Sequence, residues 1–398
     1  MTTSDSRVSG TMTDPAANAA AMLLRLGFAI FALLIPSATL MSRWVIVVLV
    51  PIGAVLIILS SLLRADSARL TDRAVARLAS GPGLACLLLI LWALVSLLWT
   101  PVRSDAVEKL FKLLGVVLLG FFAVIALPNR MRATNLHLIT IGVALGATLI
   151  LVGSVSAMLD RPLLRFPLAT PERVVILLTA LGWIGAAWLL IKNRAAMAFG
   201  LMVLVIAAIA LGPNRAAFVS LGASLLVLVI AWNRPEMAGR IVGLLVAAII
   251  LLLPLASALG VPLGIPGLER WWTMIQAEPW RFVTGHGFDA GNAARATGQI
   301  GSELPVSLIS ELWFDLGLLG AFYFAIAIGS AFIAAGKLGY ELAPATLAAL
   351  AAAVTFALID RNATQTWWFN GLAVFAIVLM SVERGRYRTV RPRAEIQP

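Results

Sequence analysis

The sequence predicts an all-α, polytopic transmembrane helix bundle, and three observations lead to that fold class. Apolar residues make up 61% of the 398 residues and charged residues only 12%, which is more apolar surface than a water-soluble core could bury. The mean hydropathy is +0.97. The apolar residues also form continuous runs about as long as a spanning helix of about 20 residues, without the period-two alternation of an outer-membrane barrel.

About twelve such runs are present, so about twelve spans are predicted. In chain order they cover residues 24–40, 44–63, 84–99, 108–127, 137–158, 173–191, 196–212, 215–232, 241–258, 306–335, 344–360 and 366–382. Residues 24–382 therefore form a single transmembrane domain. Residues 1–23 form a polar tail without the apolar core and cleavage site of a signal peptide, and residues 383–398 form a basic tail.

Arginines in the C-terminal tail set the predicted orientation. The tail carries Arg384, Arg386, Arg388, Arg391 and Arg393, and the positive-inside rule places such a segment in the cytoplasm. An even number of spans puts the N-terminal tail on the same side. The long polar stretch at 259–305 then becomes a large loop on the outer face.

This outer loop contains two patterns that could contact a substrate. Arg270, Trp271, Trp272, Trp280 and Phe282 alternate cations with aromatic surface, as in an amphipathic helix on a bilayer surface. The Gly285-His286-Gly287 turn would let the backbone approach a ligand closely. Alternatively the loop is an interfacial belt that binds no substrate.

Several cations fall on the predicted outer face, against the trend of the positive-inside rule. Arginine can make bidentate contacts to phosphoryl oxygens, so the set predicts an anionic substrate. Alternatively each cation pairs with lipid head groups or with an acid such as Asp105, Asp160 or Asp360. The charges form no continuous groove, so no nucleic acid is expected. These cations are Arg43, Arg103, Lys109, Lys112, Arg161, Arg165, Arg173, Arg215, Arg270, Arg281, Arg295 and Arg361.

Arg215 follows Pro213 and Asn214, which end one apolar run and begin the next. A cation beside free amides at a helix start would make an anion site. The alternative is an interfacial anchor whose guanidinium reaches the lipid head groups.

Ionisable residues that could take part in proton transfer are few. Glu311 and Asp315 stand four residues apart on one face of a predicted span, where they either pair with an outer arginine or act in function. His286 is the only histidine on the outer side, because His137 falls on the cytoplasmic side, so no zinc site is expected. The single cysteine, Cys86, is expected to be buried and inert, and it can form no disulfide within the chain.

Taken in order, these patterns resemble the O-antigen ligase and polymerase family of envelope glycosyltransferases. Arg215-Ala216-Ala217 is similar to the family's element at the start of a middle span. Arg270-Trp271, Glu278-Pro279 and Gly285-His286-Gly287 are similar to its loop element, and the stretch from Asp315 to Gly320 is similar to the end of its third element. The sequence departs from the family where a His-Asn pair is expected, because Val306 and Ser307 stand there.

The resemblance implies a multi-pass protein of the bacterial inner membrane that transfers a glycan from undecaprenyl diphosphate to an acceptor hydroxyl on the periplasmic face. The donor is already activated, so no cofactor or metal is expected. The resemblance implies that Arg215, Arg270, Arg165 and Arg361 bind the diphosphate and that His286 or Glu311 acts as the base. Two other interpretations remain open: a transporter or flippase, and an inactive binder of a lipid-linked glycan.

Overall fold

The computed structural model describes residues 15–42, 44–64, 67–159, 171–212, 214–258, 278–298, 307–360 and 365–386. Within these ranges the regular elements are helices and no strand is present, which confirms the predicted all-α class. The helices are α1 (Pro15–Ala38), α2 (Val45–Leu63), α3 (Ser67–Leu78), α4 (Gly81–Ser96), α5 (Arg103–Ala126), α6 (Ala133–Met158), α7 (Pro171–Ile191), α8 (Ala195–Ala210), α9 (Arg215–Ala231), α10 (Pro235–Ala258), α11 (Arg281–Thr284), α12 (Ala290–Ala296), α13 (Leu308–Gly336), α14 (Leu342–Ile359) and α15 (Thr366–Gly385).

Nine helices among the described residues are long and apolar enough to cross a membrane. One further candidate is the bent pair formed by α3 and α4, and the shorter apolar helices are α8 and α9. The chain is therefore a multi-pass helical membrane protein, as the sequence predicts. The first helix begins at Pro15, earlier than the predicted start at residue 24, because proline is favoured at a helix start and the following alanines are strong helix formers.

The centre of the bundle is formed by α7 and α14. Every residue of α7 from Val174 to Leu189 is buried, and α7 packs against α6, α8 and α14. By contrast, α9 has a strongly exposed apolar face on which Val229 is 73% exposed. A membrane protein can leave such a face to lipid, since lipid tails are as apolar as the side chains.

Cys86 lies on an exposed face of α4, so the prediction that it is buried is wrong. Its neighbours are apolar because they belong to a membrane helix. In such a helix an apolar sequence does not distinguish a protein-facing side chain from a lipid-facing one.

Two sets of contacts define the two ends of the bundle. Residues 278–298 lie against the end of α4 and the first turns of α5 and α13, where Thr100 Oγ1 donates to the Phe288 carbonyl at 2.9 Å. We call this the loop end. At the opposite end the amide of Met131 donates to the carbonyl of Arg384 at 3.2 Å, which joins the α5–α6 connection to the end of α15.

Candidate functional site at the loop end

A break in α13 organises the loop end. Gly317 has φ 64° and ψ −160°, a backbone conformation that is essentially restricted to glycine. The helical hydrogen bonding is interrupted there. The carbonyls of Phe314, Asp315 and Leu316, in the turn before the break, therefore need other donors.

Each of these carbonyls accepts a hydrogen bond from another part of the chain. The amide of His286 donates to Phe314 at 2.9 Å, and the amide of Gly287 donates to Asp315 at 2.9 Å. The indole Nε1 of Trp92, on α4, donates to Leu316 at 2.8 Å. The loop backbone and one tryptophan thus replace the missing helical donors.

Gly285 in the loop and Gly317 in α13 allow the two backbones to approach closely. A Cβ atom at Gly285, where φ is 72°, would lie 2.2 Å from the Asp315 carbonyl oxygen, and a Cβ at Gly317 would lie 2.6 Å from the Gly285 nitrogen. Any side chain at either position would therefore clash with backbone. The sequence predicted that the Gly285-His286-Gly287 turn approaches a ligand, and the structure shows that its backbone approaches α13.

His286 is held in one orientation by Phe314. Its ring stacks on the Phe314 ring with centroids 4.1 Å apart and planes 7° apart, and its Nδ1 lies 3.1 Å from the Phe314 carbonyl oxygen. A carbonyl can only accept, so Nδ1 carries the proton and Nε2 keeps a lone pair.

Burial is the largest effect on the His286 imidazole and lowers its pKa from the ordinary value of 6.5. The hydrogen bond to Phe314 and the negative charge of Glu278 oppose that shift, and Arg281 adds to it. The neutral ring is therefore favoured near pH 7, as a general base requires.

Asp315 anchors the segment that follows His286. Its carboxylate is buried and accepts from the amide of Asp289 at 2.9 Å and from the amide of Gly291 at 2.8 Å. These amides lie at the start of α12, where Asp289 has a positive φ of 64°. One side chain thus holds both the turn and the short helix on α13.

Two ion pairs complete the cluster. Arg295 pairs with Glu311, and Lys109 on α5 pairs with Asp289. The pairing alternative for Glu311 is therefore confirmed, and its carboxylate is already engaged by a guanidinium. The pairing of Lys109 with Asp289 was not foreseen, because 180 residues separate them and no local pattern connects them.

Other cations on the predicted outer face also have partners. Arg281 Nε lies 3.1 Å from Glu278 Oε2, and its guanidinium carbon lies 3.7 Å from the centroid of the Trp280 ring. Arg173 donates to Gln365 at 2.8 Å. These contacts weaken the sequence argument that the outer cations as a set await an anionic substrate.

The environment of Arg215 differs from the prediction in one respect. Asn214 caps α9, and its Oδ1 accepts from the amides of Ala216 at 2.9 Å and Ala217 at 3.2 Å. Two amides expected to be free for an anion are thus already bonded. Arg215 itself is exposed and, among the described residues, forms no ion pair or hydrogen bond with the His286 cluster.

The remaining predicted site residues, Arg165, Arg270 and Arg361, lie outside the described residues, as does Val306. In the part of the chain that the structure describes, no group of three or more His, Cys, Asp or Glu side chains could hold a metal ion. No protein-family model matches the chain, and no curated protein sequence matches it either.

Proposed function

We propose that the chain is an inner-membrane glycosyltransferase of the O-antigen ligase/polymerase type, with about twelve spans and with the loop end facing the periplasm. It transfers a glycan from undecaprenyl diphosphate to an acceptor hydroxyl. One observation carries the proposal: two of the elements that resemble the family, Gly285-His286-Gly287 and the stretch from Asp315 to Gly320, are in direct backbone contact. Their packing gives His286 a fixed, half-buried position.

In this proposal His286 is the base. Its Nε2 takes the proton of the acceptor hydroxyl while the acceptor oxygen forms a bond to the anomeric carbon of the donor sugar. The bond from that carbon to the diphosphate oxygen breaks, and the diphosphate leaves with the electron pair. Glu311 is the weaker candidate because Arg295 already pairs with it.

Cations stabilise the leaving diphosphate in this mechanism. Arg215 is kept from the sequence analysis, together with Arg270, Arg165 and Arg361. Arg281 lies beside the proposed base, because its Nη1 donates to the carbonyl of Gly285 at 3.3 Å, but it is the weaker candidate because Glu278 already pairs with it. The apolar surfaces of neighbouring helices would hold the polyprenyl tail by burial.

A transporter is the second candidate, and the break at Gly317 is the observation that favours it. Transporters commonly carry discontinuous helices whose unwound carbonyls bind an ion. Here the carbonyls of Phe314, Asp315 and Leu316 accept from His286, Gly287 and Trp92. The break therefore serves to dock the loop, and the enzyme remains better supported.

The proposal can be tested with the purified protein, a polyprenyl-diphosphate glycan and candidate acceptors, with released polyprenyl diphosphate as the readout. We expect His286→Ala to lower the rate about a hundredfold or more and Arg215→Ala and Arg281→Ala to lower it about tenfold to a hundredfold. His137→Ala is the matched control, since it removes the other histidine.

If the wild type releases no polyprenyl diphosphate with any acceptor, the enzyme proposal is rejected. A transporter or an inactive binder then remains, and Val306 in place of the family's histidine raises the second of these. A glycan-lipid binding assay then separates those two from each other. Full activity in His286→Ala would reject only the assignment of His286 as the base and would leave the proposed glycosyltransferase activity standing.

A further inference from the structure

The helices α3 and α4 meet at a sharp bend that is held by local contacts. Residues 70–78 and 81–96 meet at an angle of 79°. Ser80 caps α4 by accepting from the amide of Gly83 at 3.3 Å, and a Cβ at Gly83 would lie 2.1 Å from the carbonyl oxygen of Arg77. If α4 crosses the membrane, α3 therefore lies roughly parallel to the membrane surface.

This helix is amphipathic, and its exposed apolar side chains lie away from the side that packs. Leu70, about 140° around the helix from Val75, packs against the core, whereas Val75 is 60% exposed and Leu78, about 60° from Val75, is 37% exposed. At about 100° per residue, Arg73 and Arg77 fall on the opposite side of the helix from Val75. A helix with this distribution is typical of segments that lie in a membrane interface.

Basic side chains gather beside this helix. Arg384, at the end of α15, lies close enough to Arg73 and Arg77 for their like charges to repel. Arg384 also donates to the carbonyl of Leu127, which fixes its position at the opposite end of the bundle. Among the described residues the acids beside these guanidiniums are Asp72 on α3 and Glu383, which acts on Arg384 and also pairs with Arg386 at 3.6 Å, so the positive charges outnumber the negative ones.

We propose that α3 is a docking surface for anionic phospholipids in the leaflet at the opposite end of the bundle. Val75 and Leu78 insert into the apolar layer. Arg73, Arg77 and Arg384 contact the phosphate groups, which supply the negative charge that the described residues lack at this place. This interaction surface is independent of the chemistry proposed for the loop end.

Lipid binding tests the charge requirement. Delipidated protein is titrated with phosphatidylglycerol or phosphatidylcholine, and bound lipid is counted by native mass spectrometry. We expect the double variant Arg73→Gln, Arg77→Gln to bind phosphatidylglycerol roughly thirtyfold more weakly, about fivefold for each charge lost. Binding of phosphatidylcholine is expected to stay unchanged.

Two further variants keep this result interpretable. Arg73→Lys with Arg77→Lys keeps the charge and is expected to bind phosphatidylglycerol as the wild type does. Arg234→Gln with Arg240→Gln removes two exposed arginines elsewhere and is expected to have little effect. Equal losses in the two glutamine doubles, or equal losses for both lipids, would overturn the proposal.

Depth measurements test the apolar face. Cys86 is the only cysteine, so Cys86→Ser combined with Val75→Cys allows a fluorophore to be placed on α3 alone. In nanodiscs with phosphatidylglycerol, we expect quenchers attached to lipid chains to quench this probe and aqueous iodide to leave it bright. A probe at Ala76→Cys, about 100° around the helix, is the control, and iodide quenching of both probes to the same extent would contradict insertion.

Discussion

The starts of α9 and α13 look alike in sequence and differ in structure. Each helix is capped by a polar residue, Asn214 in α9 and Ser307 in α13, and each carries a charged residue in its first turn. Arg215 stays exposed, whereas Glu311 and Asp315 are buried under residues 285–295. A charged helix start is therefore buried and organised where a second segment docks on it, as at α13, and stays exposed where no described segment does, as at α9.

The largest effect is expected at the break in α13. Gly317→Ala places a Cβ against the backbone of Gly285 and Val283 in a conformation that alanine avoids, so the free energy of unfolding should fall by about 3 kcal/mol or more. Thermal unfolding in detergent, followed by tryptophan fluorescence, measures this change. Gly222→Ala in α9 is the control, since nothing lies within 4 Å of its Cβ position and alanine favours helix. Equal loss in the two variants would mean that the break is not required.

The next largest effect is expected at Asp315. Asp315→Ala leaves the amides of Asp289 and Gly291 without their acceptor, and we expect a loss of about 2–3 kcal/mol together with faster proteolysis of residues 278–298. Asp315→Asn keeps one acceptor oxygen and should lose less. Unchanged proteolysis in Asp315→Ala would show that other contacts hold the loop.

A third comparison is between an ion pair that is mostly buried and one that is mostly exposed. In a double-mutant cycle, Arg295 and Glu311 should show a coupling free energy of about 1–2 kcal/mol, because the Glu311 side chain is only 8% exposed. Lys112 and Glu108, which are mostly exposed, should show no measurable coupling. Similar coupling in both cycles would mean that the loop does not shield Glu311 from water.

A smaller effect is expected at the start of α9. Asn214→Ala removes the acceptor for Ala216 and Ala217 and should lower the free energy of unfolding by about 1 kcal/mol. Asn214→Asp restores an acceptor and is expected to recover it. If the diphosphate binds both these amides and the guanidinium of Arg215, Asn214→Ala should also strengthen binding of the donor, because the two amides are then free.

The smallest effect is the dependence of stability on pH. Burial lowers the pKa of His286 below 6.5, so the unfolded chain takes up a proton before the folded one does. The contribution of His286 to the free energy of unfolding is therefore fully present above pH 6.5. It is lost as the pH falls from 6.5 to the lower pKa of the folded state. His286→Gln should flatten this part of the curve, measured as the unfolding midpoint at successive pH values.

The sequence predicts the fold class because membrane helices are encoded locally, in runs of apolar residues. It also identifies His286, Glu311 and Asp315 as candidates, because ionisable groups are rare in such a chain. It cannot show that Gly317 breaks a helix, since glycine is common within membrane helices. The pairing of Lys109 with Asp289 and the donation from Trp92 to Leu316 depend on residues far apart in the chain, which no local pattern reveals.

The same limit explains the errors. Cys86 was expected to be buried because apolar sequence does not reveal which helix face meets lipid. The amides at the start of α9 were expected to be free because the asparagine before Arg215 was interpreted as a helix breaker, whereas its side chain caps the helix. Contacts within two or three residues can be recovered from such patterns once side-chain capping is considered.

The central claim is that Phe314 and Asp315 hold the turn that carries His286. Hydrogen exchange measured by mass spectrometry reports it directly, because the amides of His286, Gly287, Asp289 and Gly291 all donate to these two residues. We predict slow exchange of these four amides in the wild type and, in Asp315→Ala, fast exchange of Asp289 and Gly291, which lose their side-chain acceptor, with the exchange of α9 unchanged. Fast exchange of the four amides in the wild type would contradict the account.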